Sequence, residues 1–188
     1  MSKFSVPVTF NEPISMLQRL AETMEYSNLL AEADKVEDPI KRILLVAGFG
    51  VAQYRSSEHR ILKPFNPYLG ETYELVGDDF EFIAEQVSHH PPISACFAES
   101  SHFKYLTDTA AKTSISQSGT LKISPTGRQM VLLKTNSEEY ILTRPITTVN
   151  NLLFGSLLIE HVGIMTVTDP QTKMTCVVEF KPNKQIEA

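Results

Sequence analysis

Residues 80–89, FEFIAEQVSH, determine the class of fold that this chain adopts. Phe80, Phe82 and Ala84 recur at every second position, with Glu81 and Glu85 at intervening ones. This is the period of a strand that places one face on a core. Residues 174–181 repeat the alternation near the other end of the chain. Shorter β-like runs at 93–99, 120–124, 129–133, 140–143 and 165–168 lie between turn signals at 77–79, 124–127 and 169–170.

The first third of the chain has a helical pattern. Pro13 suits a first helical turn, and apolar residues follow at helical spacing as far as residues 29–30. Asp38 and Pro39 provide the cap and first turn of a second helix, whose broad apolar face continues to about Tyr54 and predicts burial. Helices followed by many strands indicate an α+β fold with a large antiparallel sheet that curls toward a barrel.

Composition favours one compact domain over residues 1–188, because 42% of the residues are hydrophobic and no repeat occurs. The net charge of -5 and the lack of a Lys/Arg stripe argue against nucleic-acid binding. No window approaches the ~18 apolar residues of a spanning helix, so we expect any membrane contact to be peripheral. Cys96 and Cys176 are expected to be reduced thiols of an intracellular protein.

Two segments differ from ordinary structural sequence. In KPFNPYLGETY, residues 63–73, two prolines fix a rigid backbone that can orient Lys63 and Asn66. In EQVSHHPPISA, residues 85–95, the prolines after His89 and His90 present both imidazoles at the end of a strand. Such side chains can donate hydrogen bonds to an anion, the histidines more strongly when they are protonated.

The segment EQVSHHPPISA resembles the signature of the oxysterol-binding protein family, and KPFNPYLGETYE resembles the family's second most characteristic segment. The opening PVTFNEPISMLQRLAETMEYSNLLAEA is similar to the start of the family's lipid-binding domain. The later GTLKISPTG and TVNNLLFG…IEHVGIMTV…TCVVEFKP follow in the same order. The resemblance therefore covers nearly the whole chain.

This resemblance implies an incompletely closed β-barrel with a lipid-filled tunnel. It also implies a cytoplasmic protein, peripheral on membranes, that binds and transfers lipids without a cofactor or covalent chemistry. A sterol, or another lipid such as phosphatidylserine, would be exchanged for phosphatidylinositol 4-phosphate. The expected partners are these lipids and the membrane surface, and the oligomeric state stays open.

The resemblance also assigns candidate site residues. Lys63, Asn66, His89 and His90 match the positions that contact the phosphates of the headgroup in the family. Gln53 and Tyr54 match the family's Gln-Tyr pair near the end of the second helix, where the amide could bind a sterol hydroxyl or cap the helix. Residues that could line the tunnel, or simply pack in the core, are Phe10, Leu17 and Leu20.

Relative to the family, the sequence resembles a partial domain. Most of the amphipathic lid would be missing or reduced to residues 1–5, and the C-terminal part would lie beyond Ala188. A chain of this kind could transfer lipid. The alternative is a non-transferring lipid sensor or interaction protein that keeps the fold.

Metal binding and enzymatic activity are poorly supported by the sequence. Adjacent residues of a strand, such as His89 and His90, point to opposite faces and seldom share an ion. Ser88 and His89 are neighbours and lack the third group and the elbow motif of a hydrolase. We therefore expect no catalytic residue and no metal ligand. The remaining histidines, which we expect at the surface or at strand ends without partners, are His59, His102 and His161.

Overall fold

The computed structural model describes residues 8–57, 60–152 and 155–182. Short elements precede the sheet: a 3-10 helix at Val8–Phe10, β1 (Asn11–Ser15), α1 (Met16–Ala21), a 3-10 helix at Glu22–Met24, α2 (Asn28–Ala33), α3 (Pro39–Ala52) and a 3-10 helix at Gln53–Ser57.

The first helix begins three residues after the predicted start. Pro13 lies in β1, so the prediction that it opens a helix is wrong. The helix begins at Met16 because Ser15 and Gln18 form a reciprocal capping box, in which each side chain bonds to the other's backbone N–H. The apolar residues expected on one helix are divided among α1, the 3-10 turn and α2.

The second predicted helix is confirmed as α3. The Asp38 side chain accepts a hydrogen bond from the Ile40 N–H at 2.9 Å, and Pro39 occupies the first turn. Its inward face buries Ile43, Val46 and Phe49, whereas Leu44 remains 55% exposed. One face of α3 is therefore buried on the sheet.

The remaining strands follow in chain order and are β2 (Lys63–Phe65), β3 (Thr72–Val76), β4 (Phe80–His89), β5 (Pro92–Ser100), β6 (Phe103–Asp108), β7 (Ala111–Ile115), β8 (Leu121–Pro125), β9 (Gln129–Leu133), β10 (Glu138–Leu142), β11 (Ile146–Asn150), β12 (Leu158–Thr168) and β13 (Thr175–Phe180). β1 and β2 form a small parallel pair. The others form an 11-stranded antiparallel sheet in the order β3-β4-β5-β6-β9-β10-β12-β11-β8-β7, with β13 also paired to β12. This is the predicted α+β class, and the ends of the sheet do not pair with each other in the described part of the chain.

The large sheet bends along one line. β6 and β7 are two parts of one long strand that is interrupted at the bend, and the same holds for β8 with β9 and for β10 with β11. On one side of the bend β6 pairs with β9, and on the other side β7 pairs with β8 and β8 with β11. The breaks fall at residues 109–110, 126–128 and 143–145, and Gly163 lies at the same level of β12 with a φ of 101°. A positive φ favours glycine, which lets the long strand turn this corner.

α1 and α3 pack on the half of the sheet that precedes the bend, and the 3-10 helix Gln53–Ser57 reaches the second half at His161. In the first half, alternate residues of β4, β6 and β9, such as Phe82, Tyr105 and Val131, pack with Leu17 and Phe49 of the helices. Beyond the bend, β7 and β11 have no buried residue. The face of the second half that lies on the side of the helices, which we call the inner face together with its continuation to β6, therefore has few core contacts among the described residues.

The alternation predicted most strands but missed several. β4 and β13 are confirmed, whereas β6, β7 and β11 were not predicted. The signal at residues 124–127 marks the bend between β8 and β9 instead of a chain reversal.

Candidate functional site: the β4–β5 hairpin and the inner face

The Pro-rich segment lies against the end of β4. The Gly70 N–H donates to the Gln86 carbonyl at 2.9 Å, and the Gln86 N–H donates to the Glu71 carbonyl at 3.0 Å. The Glu71 side chain accepts from the Tyr68 N–H, which holds the turn between them. The two segments that the sequence singled out thus meet at Gln86, which contacts Asn66, Gly70 and Glu71.

A polar chain connects Asn66 to the inside of the sheet. The Gln86 Nε2 donates to Asn66 Oδ1 at 3.2 Å, and Ser94 Oγ donates to Gln86 Oε1. Gln86 and Ser94 are each only 1% exposed. Asn66 itself is exposed, and Lys63, exposed on β2, is paired in register with Asn11. The side chains of the predicted set therefore reach solvent, while their supports are buried.

His89 and His90 lie at the tip of the β4–β5 hairpin. His89 ends β4 in register with Pro92, and the two imidazole rings are 4.6 Å apart at 59°. His90 is exposed and His89 is half-buried. Nδ1 of His89 is buried without a hydrogen-bond partner among the described residues. A buried polar atom of this kind favours a ligand that supplies the missing partner.

Gln53 lies in a buried amide network that the sequence did not predict. Gln129 Nε2 donates to Gln53 Oε1 at 2.6 Å and to the Tyr105 hydroxyl at 2.9 Å, and Gln53 Nε2 donates to the same hydroxyl at 3.3 Å. Burial raises the pKa of Tyr105 to about 12, so its hydroxyl stays protonated. The sequence did contain a sign of this role for Gln129, because it is the polar residue of an otherwise apolar strand, QMVLL, and alternates with Val131 and Leu133 on the buried face.

Tyr54 borders a cavity of about 570 Å³ at the end of the helical layer. The cavity lies between the 3-10 helix Gln53–Ser57 and the first half of β12. The Tyr54 ring contacts His161 at 4.6 Å and Phe180 at 5.1 Å between centroids. Burial raises the pKa of Tyr54. The cavity therefore has an aromatic side that can receive an apolar ligand.

Two histidines have partners, contrary to expectation. His161 Nε2 lies 2.7 Å from Ser57 Oγ, its Nδ1 lies 3.0 Å from Thr147 Oγ1, and burial lowers its pKa. His102 Nδ1 lies 3.0 Å from the buried Asp34 carboxylate. The prediction failed because these contacts join residues 104 and 68 positions apart. His59 lies outside the described residues.

The bend carries a cation on the inner face. Arg144 lies between β10 and β11, and its Nη2 donates to Thr107 Oγ1 and, at 3.4 Å, to the Arg128 carbonyl. Thr107 is buried on the inner face. The sequence analysis did not identify Arg144, because only the bend turns its side chain inward.

The apolar residues that could line the tunnel or pack in the core are in different surroundings. Leu17 and Leu20 are 0% and 6% exposed and belong to the core between the helices and the sheet. Phe10 is 44% exposed near the start of the chain. In the described ranges, no helix is both long and apolar enough to cross a membrane, and no cluster of three or more His, Cys, Asp or Glu side chains could hold a metal.

The described chain is thus an α+β domain built on an open, bent antiparallel sheet, with two adjacent histidines at one hairpin and a cavity beside the start of β12. The sequence model described as oxysterol-binding protein matches residues 1–188, and the chain belongs to this family.

Relatives of known sequence agree with this placement. Oxysterol-binding protein-related protein 6 of Homo sapiens is 43% identical over 183 residues, which cover 96% of this chain and 19% of that protein. Oxysterol-binding protein-related protein 3C of Arabidopsis thaliana is 41% identical over 182 residues, or 96% and 39% of the two chains. The chain thus spans 19% to 39% of the length of these relatives.

Solved structures share the fold. The Osh1 ORD domain in complex with ergosterol superposes with a TM-score of 0.89 at 35% identity, covering 97% of this chain and 45% of that one. The Osh3 ORD of Saccharomyces cerevisiae in complex with PI(4)P gives a TM-score of 0.87 at 31% identity, covering 100% and 50%. The predicted fold, helices followed by a curved sheet that does not close, is confirmed.

Proposed function

We propose that this chain binds one lipid at a time and carries it between membranes. In this proposal, phosphatidylinositol 4-phosphate is exchanged for a second lipid, and no bond is made or broken. Lys63, Asn66, His89 and His90 would hold the phosphorylated headgroup, and the acyl chains would lie on the inner face.

The buried, unpartnered Nδ1 of His89 is the observation that carries the proposal. A phosphate oxygen could accept a hydrogen bond from this atom when it is protonated, and the exposed His90 and Asn66 could add further donors. Lys63 supplies a cation near the same segment without an ion-pair partner among the described residues. A polyanionic headgroup would satisfy all four groups.

The inner face supports the binding of the apolar part. Among the described residues beyond the bend, none of β7, β8 or β11 is buried. The adjoining cavity of about 570 Å³ falls in the size range of ligand sites, and its lining combines Tyr54, Leu158 and Phe180 with the charged side chains of Arg60 and Lys181. A mixed lining of this kind suits an amphipathic ligand, whose apolar part would remove the aromatic and aliphatic surface from water. The solved neighbours with ergosterol and with PI(4)P bind such ligands.

Extraction from vesicles tests the proposal. Phosphatidylcholine vesicles containing phosphatidylinositol 4-phosphate, a fluorescent sterol or both would be incubated with the purified chain, and the lipid in the supernatant would be measured. We expect extraction of phosphatidylinositol 4-phosphate that competes with extraction of the second lipid. If folded, monodisperse protein binds vesicles but extracts neither lipid, the carrier function is wrong and a lipid sensor is the better description.

A further inference from the structure

Arg144 lies where the lipid of the proposed function would cover it. Its Nη2 reaches the inner face at Thr107, a residue two strands away across β9. Thr107 lies two residues from Tyr105 on the same buried face of β6, and the Tyr105 hydroxyl accepts a hydrogen bond from Gln53 of the amide network. The guanidinium therefore lies next to this network.

The contacts of Arg144 use only part of its hydrogen-bonding capacity. Both are made by Nη2, and both acceptors are neutral, a hydroxyl and a backbone carbonyl. Within the described ranges, Nε and Nη1 donate no hydrogen bond and no carboxylate forms an ion pair with Arg144. The buried Arg42, by contrast, is matched by Glu138. Arg144 is thus an uncompensated cation with donors to spare.

The neighbouring amides are already engaged. Gln53 Oε1 accepts from Gln129, and Gln53 Nε2 donates to Tyr105. A neutral sterol hydroxyl would have to compete with these bonds, since Gln53 is the amide that the family resemblance assigns to a sterol. The free donors at this place belong to Arg144.

We propose that Arg144 makes the inner face select a lipid whose polar group is negatively charged, such as a carboxylate, sulfate or phosphate ester, over a neutral sterol. This inference rests on the proposed lipid-carrier function and names the chemistry of the second lipid. A neutral lipid would cover the guanidinium and leave its charge unpaired in a low dielectric. An anionic group supplies charge-assisted, bidentate hydrogen bonds and offsets that cost.

Cholesterol and cholesterol sulfate are matched probes, because they differ only in the anionic group. Each would be placed in phosphatidylcholine vesicles, and extraction by the chain would be measured alongside extraction of phosphatidylserine and phosphatidylinositol 4-phosphate. Arg144→Gln removes the charge, and Arg144→Lys keeps the charge but loses the bidentate geometry. Ile123 of β8 pairs with Thr147 on the side of His161. The exposed Lys122 therefore lies on the opposite face from the proposed ligand, and Lys122→Gln is the control for net charge.

We expect the wild-type chain to prefer cholesterol sulfate over cholesterol by about tenfold, the effect of one charge-assisted hydrogen bond. Arg144→Gln should bring this ratio close to one, Arg144→Lys should lower it in part, and Lys122→Gln should leave it unchanged. Phosphatidylserine should follow cholesterol sulfate. Urea unfolding of each variant separates loss of selectivity from loss of fold. If Arg144→Gln does not fold, the lipid ratio of Arg144→Lys tests the inference.

A wild-type preference for cholesterol, or a ratio that both Arg144 variants leave intact, overturns this inference. If phosphatidylinositol 4-phosphate is still extracted in that case, the proposed carrier function stands without it. A wild-type chain that extracts none of the four lipids overturns both.

Discussion

Arg42 on α3 and Glu138 on β10 form a bidentate ion pair, with Nε 2.5 Å from Oε2 and Nη2 2.6 Å from Oε1. The remaining Nη1 donates to the carbonyls of Val36 and Glu37, which precede the helix. One guanidinium thus fixes the helical layer to the sheet and orders the approach to α3. Its side chain is only 7% exposed, so little water is available to replace these contacts.

Arg42→Met should therefore lower the free energy of unfolding by about 3 kcal/mol, since it leaves the Glu138 carboxylate with only the Tyr140 hydroxyl as a side-chain donor and removes the guanidinium donor from two carbonyls. Urea titration would measure the change. Arg128→Met, at an exposed position, should change stability by less than about 0.5 kcal/mol. Equal effects of both substitutions would contradict a specific role for the pair.

Asp34 should make the fold sensitive to acid. Burial alone would raise its pKa, but hydrogen bonds from Thr135 and the contact with His102 hold the pKa below the ordinary value of 3.8. A carboxyl with a lowered pKa stabilises the folded state above its unfolded pKa, and this contribution is lost as the pH falls below about 4.

The free energy of unfolding should thus drop more steeply between pH 5 and pH 3 in the wild-type chain than in Asp34→Asn. Asp79→Asn, in the exposed β3–β4 turn, is the matched control and should keep the wild-type slope. An unchanged slope in Asp34→Asn would show that the fold draws no net stability from this carboxylate.

Among the headgroup candidates, His89 should have the larger effect. His89→Ala removes the half-buried ring whose buried Nδ1 lacks a partner among the described residues, and it should weaken extraction of phosphatidylinositol 4-phosphate by about tenfold or more. His90→Ala, at an exposed position, should have a smaller effect. Extraction of a sterol should hardly change in either variant, and wild-type phosphoinositide extraction by the double variant would remove these residues from the site.

Lys63→Ala should weaken the same phosphoinositide with little effect on a sterol, because it removes one cation near the headgroup. Lys41→Ala, an exposed lysine on α3, changes the net charge equally and should leave extraction unaltered. The loss should shrink at high salt, as expected for an exposed charge. Parallel losses of both lipids in Lys63→Ala would indicate misfolding instead.

Two glycines of α3 should respond differently to the same substitution. A Cβ on Gly48 would meet its nearest neighbour, Leu29, at 3.7 Å, so Gly48→Ala should raise the free energy of unfolding by about 0.5–1 kcal/mol. A Cβ on Gly50 would lie 3.0 Å from Leu142 and 3.2 Å from Met165, so Gly50→Ala should lose that gain to crowding. Thermal unfolding of the two variants measures the difference. An equal gain in stability at both sites would mean that the side chains of Leu142 and Met165 can move to accommodate the added methyl group.

The sequence predicted elements whose signals are local. Asp38 and Pro39 marked the start of α3, and the alternation in residues 80–89 marked β4. It could not predict β11, whose residues 146–150 are all half-buried and therefore show no alternation of buried and exposed positions. The headgroup candidates stood out through their prolines and histidines, whereas Arg144 and His161 depend on how distant strands bend and meet.

The bend divides the sheet into two halves in which amino-acid substitutions should have different consequences. On one side, residues such as Tyr105 and Val131 pack against helices, and a substitution there costs stability. On the other, no described residue of β7, β8 or β11 is buried, and a substitution reshapes the ligand's surroundings while the core stays intact. A scaffold of this kind can acquire a new cargo by changing one half of a single sheet without losing the ability to fold.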